Sequence, residues 1–84
     1  MSNNSVERVI TIFKKNDDES FLGDISIDKI ELSELQKIFN LESSNPMYDC
    51  YEVSTEHALF FKEKVGIDFD FKKYTYFVEC NLID

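Results

Sequence analysis

Hydrophobic and polar positions follow two rhythms along the 84-residue chain, a period of two near its ends and helical spacing in two middle stretches. Val6 to Lys15 (VERVITIFKK) is rich in β-branched residues and predicts a first strand. Asn16-Asp17-Asp18-Glu19 supplies turn residues. Ser20 to Ile27 (SFLGDISI) then sets Phe21, Gly23, Ile25 and Ile27 against Leu22, Asp24 and Ser26. That alternation predicts a half-buried strand forming a hairpin with the first. Gly23, inside the strand, marks a bulge or a close backbone approach.

Leu32 to Phe39 carries apolar residues at Leu32, Leu35, Ile38 and Phe39, the spacing of a short helix. Ser33 and Gln36 have the spacing of a capping box, which a residue on either side fits equally. Asn40 to Met47 is a predicted loop, and Tyr48 to Val53 (YDCYEV) a third short strand. Ser54 or Thr55 can cap a second helix that reaches Val65 and stops at Gly66. Ala58, Phe61 and Val65 share one face of that helix, leaving Leu59 or Phe60, or both, partly exposed. Ile67 to Phe71 alternates like an edge strand or an extended loop. Tyr74 to Ile83 is the longest clear strand, with Tyr74, Tyr76, Val78, Cys80 and Leu82 facing the core and Thr75, Phe77, Glu79 and Asn81 facing outward. The expectation is one α+β domain over residues 1–84: a single four-stranded, mostly antiparallel sheet with one or two helices packed on one face.

Composition supports a packed core, since 43% of residues are hydrophobic and eight are Phe. The core is small, because a folded chain of this mass exposes roughly 5,200 Å². A deep water-free catalytic cavity would compete with it. A net charge of −8 opposes binding to nucleic acid or anionic lipid and favours a basic partner, which long-range attraction steers into contact. Met1 to Ser5 is polar, and no apolar run approaches the length of a membrane span, so a cytoplasmic protein is expected. Cys50 and Cys80 are too few and too far apart for a CxxC motif, and in a reducing compartment they are expected to be free thiols.

Candidate chemistry is sparse. His57 is the single histidine, and general acid-base work needs a positioned partner and a pocket. One His and two Cys from separate segments do not suit zinc, and no GxGxxG or GxxxxGK[ST] loop offers a nucleotide site. Asp17-Asp18-Glu19 and the Asp68/Asp70 pair could attract a hard cation, but solvated turns and strand faces explain both more simply. The expectation is therefore a non-enzyme with no metal or other cofactor.

The outward faces of the strands carry more. Asp24, Glu52 and Glu79 share outward parity, with Phe13, Phe77 and Cys50 beside them. Rings supply buried area and acids supply steering and charge-assisted hydrogen bonds, which suits a basic protein surface. Exposed Phe is wasteful on an ordinary solvated face. Four strands of about six residues span roughly 400 Å² in projection, against ~800 Å² per partner in a standard interface. A flanking loop, either Asn40–Tyr48 or the Asn16–Glu19 turn, would have to join in.

Cys50-Tyr51-Glu52-Val53, then Ile67-Asp68, then Tyr76-Phe77-Val78 follow one another in an order that resembles the cloacin immunity family, whose members protect bacteria against ribonuclease colicins. The resemblance extends to the opening hairpin and to total length. It is also similar to small bacterial proteins bearing a PMYDCY segment, here Pro46 to Tyr51, and a YFVE segment, here Tyr76 to Glu79. The cloacin resemblance implies one antiparallel sheet whose outer face and neighbouring loops bind a cytotoxic nuclease domain without catalysis. By position it implies that Phe13, Cys50, Glu52, Phe77 and Glu79 belong to the binding strands. Two departures leave the cognate toxin open between a colicin and a contact-dependent inhibition toxin such as a transfer-RNA nuclease: the stretch Ser54 to Val65 is regular and free of proline, and the chain stops at Leu82-Ile83-Asp84 without an acidic-aromatic tail.

The leading expectation is an immunity protein, monomeric or weakly dimeric, whose partner is the basic nuclease domain of its toxin, with no nucleic acid or membrane bound directly. A regulatory adaptor that takes another folded protein or a peptide through its sheet is the alternative. The two separate on salt, since electrostatic steering fades as ionic strength rises whereas adaptor binding through the sheet would survive it.

Overall fold

The structure, a computed structural model, describes residues 5–15 and 20–83. The predicted Asn16–Glu19 turn, with its acidic cluster, lies outside the described residues. Six elements follow in order: β1 (Ser5–Lys14), β2 (Phe21–Ser26), α1 (Leu32–Ile38), β3 (Tyr51–Glu52), α2 (Thr55–Val65) and β4 (Tyr74–Ile83). The four strands form one antiparallel sheet in the order β2-β1-β4-β3, and with the two helices they make an α+β fold.

β1 and β4 pair along their whole lengths, from Ser5 opposite Ile83 to Lys14 opposite Tyr74, so the two longest strands form the centre of the sheet. Alternation then separates the faces. Ile10, Tyr76 and Val78 point inward and are buried with Leu35 of α1, Phe61 of α2 and the connecting residues Ile27, Ile30, Met47, Val53 and Ile67. Both helices thus cover the inner face. Leu59 is 66% exposed, while Phe60 is half-buried, edge-to-face with Phe61 at 5.1 Å.

The ends of α2 follow the sequence. Ser54 is the N-cap, and Gly66 ends the helix with φ 74, in the left-handed region that glycine reaches without a Cβ penalty. The Ser54 N–H donates to His57 Nδ1 at 3.0 Å, so the ring presents an acceptor there and carries its hydrogen on Nε2. The same ring packs on Phe39 with centroids 4.3 Å apart. His57 caps one helix and fastens it to the end of the other.

α1 starts at Leu32, as its spacing predicts, but is capped differently. Its N-cap is Glu31, and the Ser33–Gln36 capping box does not form because Ser33 already lies inside the helix. Gln36 is buried instead, and its Nε2 donates to Ser43 O at 3.1 Å and Asn45 O at 2.6 Å. The side chain therefore satisfies two carbonyls of the following loop and pins it to the core. Asn40, at φ 58, turns the chain out of α1. Lys64 of α2 reaches Glu34 of α1 at 2.7 Å, which holds the Glu34 carboxyl below its ordinary range.

Two further expectations are corrected, and one open alternative is resolved. The third strand is two residues long rather than six, because β4 offers partners only to Tyr51 and Glu52; Val53 adds one bond, from its N–H to Tyr76 O at 2.9 Å. Ile67 to Phe71 is an extended loop: the Asp70 N–H donates to the Tyr76 hydroxyl at 2.9 Å, and Phe69 and Phe71 stack on each other and meet Tyr76 edge-to-face. The β1/β2 register slips by one between Ile12/Gly23 and Phe13/Phe21. That bulge sits beside Gly23, at φ 156, and reverses the parity of Phe21. Phe21 leaves the inward set with Gly23 and Ile25 and joins the outer face. No atom lies within 4 Å of where a Gly23 Cβ would stand, so the bulge, and not a close approach, accounts for this glycine.

Candidate binding face

The outer face carries no helix, and its residues fall into three cross-strand rows. The first runs Phe21, Phe13, Thr75. The second crosses all four strands as Asp24, Thr11, Phe77, Glu52. The third runs Ser26, Val9, Glu79, with Cys50 beside Glu79. The structure therefore brings all six sequence-predicted residues, Phe13, Asp24, Cys50, Glu52, Phe77 and Glu79, onto one surface.

The rings form a continuous strip. Phe21 meets Phe13 edge-to-face at 5.7 Å, and Phe13 meets Phe77 in the same way at 5.8 Å. Such pairs contribute about 0.5–1.5 kcal/mol beyond their buried area, and they fix the ring orientations before any partner arrives. Phe21 is the most exposed of the three, at 56%.

The acids differ in mobility. Glu79 is braced: Thr11 Oγ1 donates to Glu79 Oε2 at 3.0 Å, and Cys50 Sγ lies 3.5 Å from the same oxygen. The Thr11 hydroxyl also sits 3.4 Å from Phe77 O, but with one hydrogen to give it favours the charged, nearer acceptor. Asp24 and Glu52 are exposed and stand at opposite ends of the second row, three strand spacings or about 14 Å apart. Three carboxylates thus surround the Thr11–Phe77 centre. Partial burial of the Cys50 sulfur, and secondly the neighbouring Glu79 carboxylate, push that thiol up to about 11. It is a hydrogen donor on this face rather than a nucleophile.

At one end the sign changes. Lys14 lines a shallow cleft with Phe13, Thr75 and Phe77 and shares a second one with Lys15, Lys72, Lys73 and Tyr74. Lys15 Nζ donates to Phe71 O at 2.6 Å, which holds this basic corner in place. The lysines thus cluster at the end of the sheet next to the ring strip, with Lys14 at inner-face parity opposite Tyr74.

Two members of the face escaped the sequence pattern. Phe21 was hidden by the bulge, and Gly23 is the signal that could have revealed it. Thr11 sits in a run of β-branched residues whose alternation does not separate it from the core. Of the flanking loops, Asn40–Tyr48 is anchored to the core by Gln36 and by buried Met47, while Asn40, Glu42, Ser43, Ser44 and Pro46 stay exposed. Its last residue, Tyr48, is 66% exposed and two positions before Cys50.

The other candidates have structural work. Asp68 pairs with Lys62, and Asp70 Oδ1 accepts from the Lys72 N–H at 3.2 Å. Among the described residues, no group of three or more His, Cys, Asp or Glu side chains is placed to hold a metal ion. Among the same residues, no helix is long and apolar enough to cross a membrane.

Residues 7–79 match DUF7683, a domain of unknown function. The chain belongs to this family. The matched span begins in β1 and ends at Glu79 in β4, so it takes in the four elements between them and all three rows of the outer face. No curated protein and no solved structure matches the chain.

Proposed function

We propose that this DUF7683 protein is a cytoplasmic immunity protein that binds the basic nuclease domain of a cognate bacterial toxin through the outer face of its sheet and blocks the toxin's path to substrate. The observation that carries the reading is the second row, in which exposed Asp24 and Glu52 flank Phe77 and Thr11 beside the braced Glu79. A preset aromatic strip gives a partner buried area without ordering cost, and surrounding carboxylates favour lysine and arginine opposite them. The charge of −8 adds steering toward such a surface. The cloacin resemblance supports the same face, since it places Phe13, Cys50, Glu52, Phe77 and Glu79 on the binding strands.

The test is co-expression with the toxin gene encoded beside it, followed by pull-down of the complex and a growth assay. A stable complex and protected cells are expected. The absence of any neighbouring toxin, together with no protection, would sink the reading.

A further inference from the structure

β2 is an edge strand, and its free edge is chemically unlike the rest of the surface. Phe21 (56%), Leu22 (51%) and Ile25 (36%), three of the five exposed large hydrophobic residues among those described, lie within its six positions. Natural edges are blunted by lysine, proline or a charge pointing inward. β2 has no lysine, arginine or proline, its single charge, Asp24, points outward, and its bulge at Leu22 lies to one side of the regularly paired Gly23–Ser26.

The backbone direction follows from the ladder. The Ile27 N–H donates to Arg8 O at 2.9 Å, so by alternation Ile25 also turns its N–H and C=O toward β1, while Asp24 and Ser26 turn theirs away. Among the described residues no hydrogen bond reaches those four outward groups.

We infer that this edge is a strand-docking site that takes an extended, basic segment of a protein partner; the inference rests on the proposed reading of a basic partner and adds the way in which it is held. Charge selects the occupant. Two copies of a chain carrying −8 repel each other. A strand laid antiparallel on β2 places its residue opposite Asp24 on the outer face and its residue opposite Ile25 on the inner face. The recognised pattern is therefore alternation of lysine or arginine with an aliphatic residue, bonded through its backbone to Asp24 and Ser26.

The test uses the full chain and a blocked seven-residue peptide of alternating lysine and valine, with amide hydrogen exchange followed residue by residue. Saturating peptide is expected to slow exchange at Asp24 and Ser26 by at least about tenfold, with little change at the already bonded Ile25. A glutamate-valine peptide, and the lysine-valine peptide N-methylated along its bonding edge, should give no protection. Asp24→Lys should weaken binding of the lysine peptide at least about tenfold. Lack of protection by the lysine peptide, or equal protection by the glutamate peptide, overturns the proposal. So does protection that grows with protein concentration alone, alongside dimers in sedimentation, because the edge then belongs to a second copy. If the peptide fails while a captured toxin still depends on Glu52, the edge site falls and the face reading stands. If the peptide docks but no toxin is captured, the edge site stands and the face reading falls.

Discussion

Single residues carry the sharpest consequences. The Cys50 thiol, pushed up to about 11 by partial burial of its sulfur and by Glu79, holds about a hundredfold less thiolate at pH 8 than a thiol at the ordinary value of 9.0. Alkylation by iodoacetamide should therefore be slow at Cys50, and Glu79→Gln should quicken it several-fold by removing the carboxylate. Mass spectrometry of the two cysteines over time checks this, and an unchanged rate would detach Cys50 from Glu79. Gln36 offers a second test. Gln36→Leu keeps the volume but strands the carbonyls of Ser43 and Asn45, at a cost of about 1–3 kcal/mol. Denaturant unfolding should show that loss, with faster amide exchange across residues 41–47.

At the scale of elements, the ends of α2 are the most exactly encoded feature. Gly66→Ala forces a Cβ into the left-handed region and should cost about 1 kcal/mol, or several degrees of melting temperature in a domain of this size. Phe61→Ala, by contrast, empties the centre of the core and should cost about 3–5 kcal/mol. The opening hairpin, both helices and the parity of β4 from Tyr74 to Val78 were legible because each has a clean period and, for α2, chemically distinct ends. The errors share one physical origin. Alternation says which way a residue points only while pairing stays in register, so a single inserted residue beside Gly23 sent Phe21 to the opposite face. Alternation also says nothing about whether a partner exists. Tyr48 to Val53 has the rhythm of a strand, yet β4 pairs with only two of its residues. For Ile67 to Phe71 the pattern left edge strand and extended loop both open, and the loop alternates because Phe69 and Phe71 pack on Tyr76, with no neighbouring strand required. The six candidate residues still share the outer face, because five of them are fixed by the register of β1 and β4 with their neighbours, and Cys50 by its contact with Glu79.

Over the whole molecule, charge is distributed rather than merely negative. The outer face offers carboxylates around Phe77, and Lys14, Lys15, Lys72 and Lys73 cluster at the adjoining end of the sheet, so a partner that reaches both must itself carry two signs in the right places. That arrangement favours one docking orientation over its reverse. Association with the toxin should slow by at least about tenfold between low ionic strength and half-molar salt, with dissociation changed much less, as stopped-flow mixing would record. A salt-independent association rate would favour an adaptor over an immunity protein.

The central claim is that the exposed acids of the second row contact the toxin. Glu52 is the cleanest probe, since among the described residues it makes no side-chain hydrogen bond or ion pair and its removal leaves the sheet intact. The deciding measurement is the calorimetric affinity of Glu52→Lys for the toxin domain encoded beside it, set against the unaltered protein. We expect a loss of more than about 2 kcal/mol, roughly thirtyfold in Kd, with an unchanged melting temperature. An unchanged Kd would contradict the account.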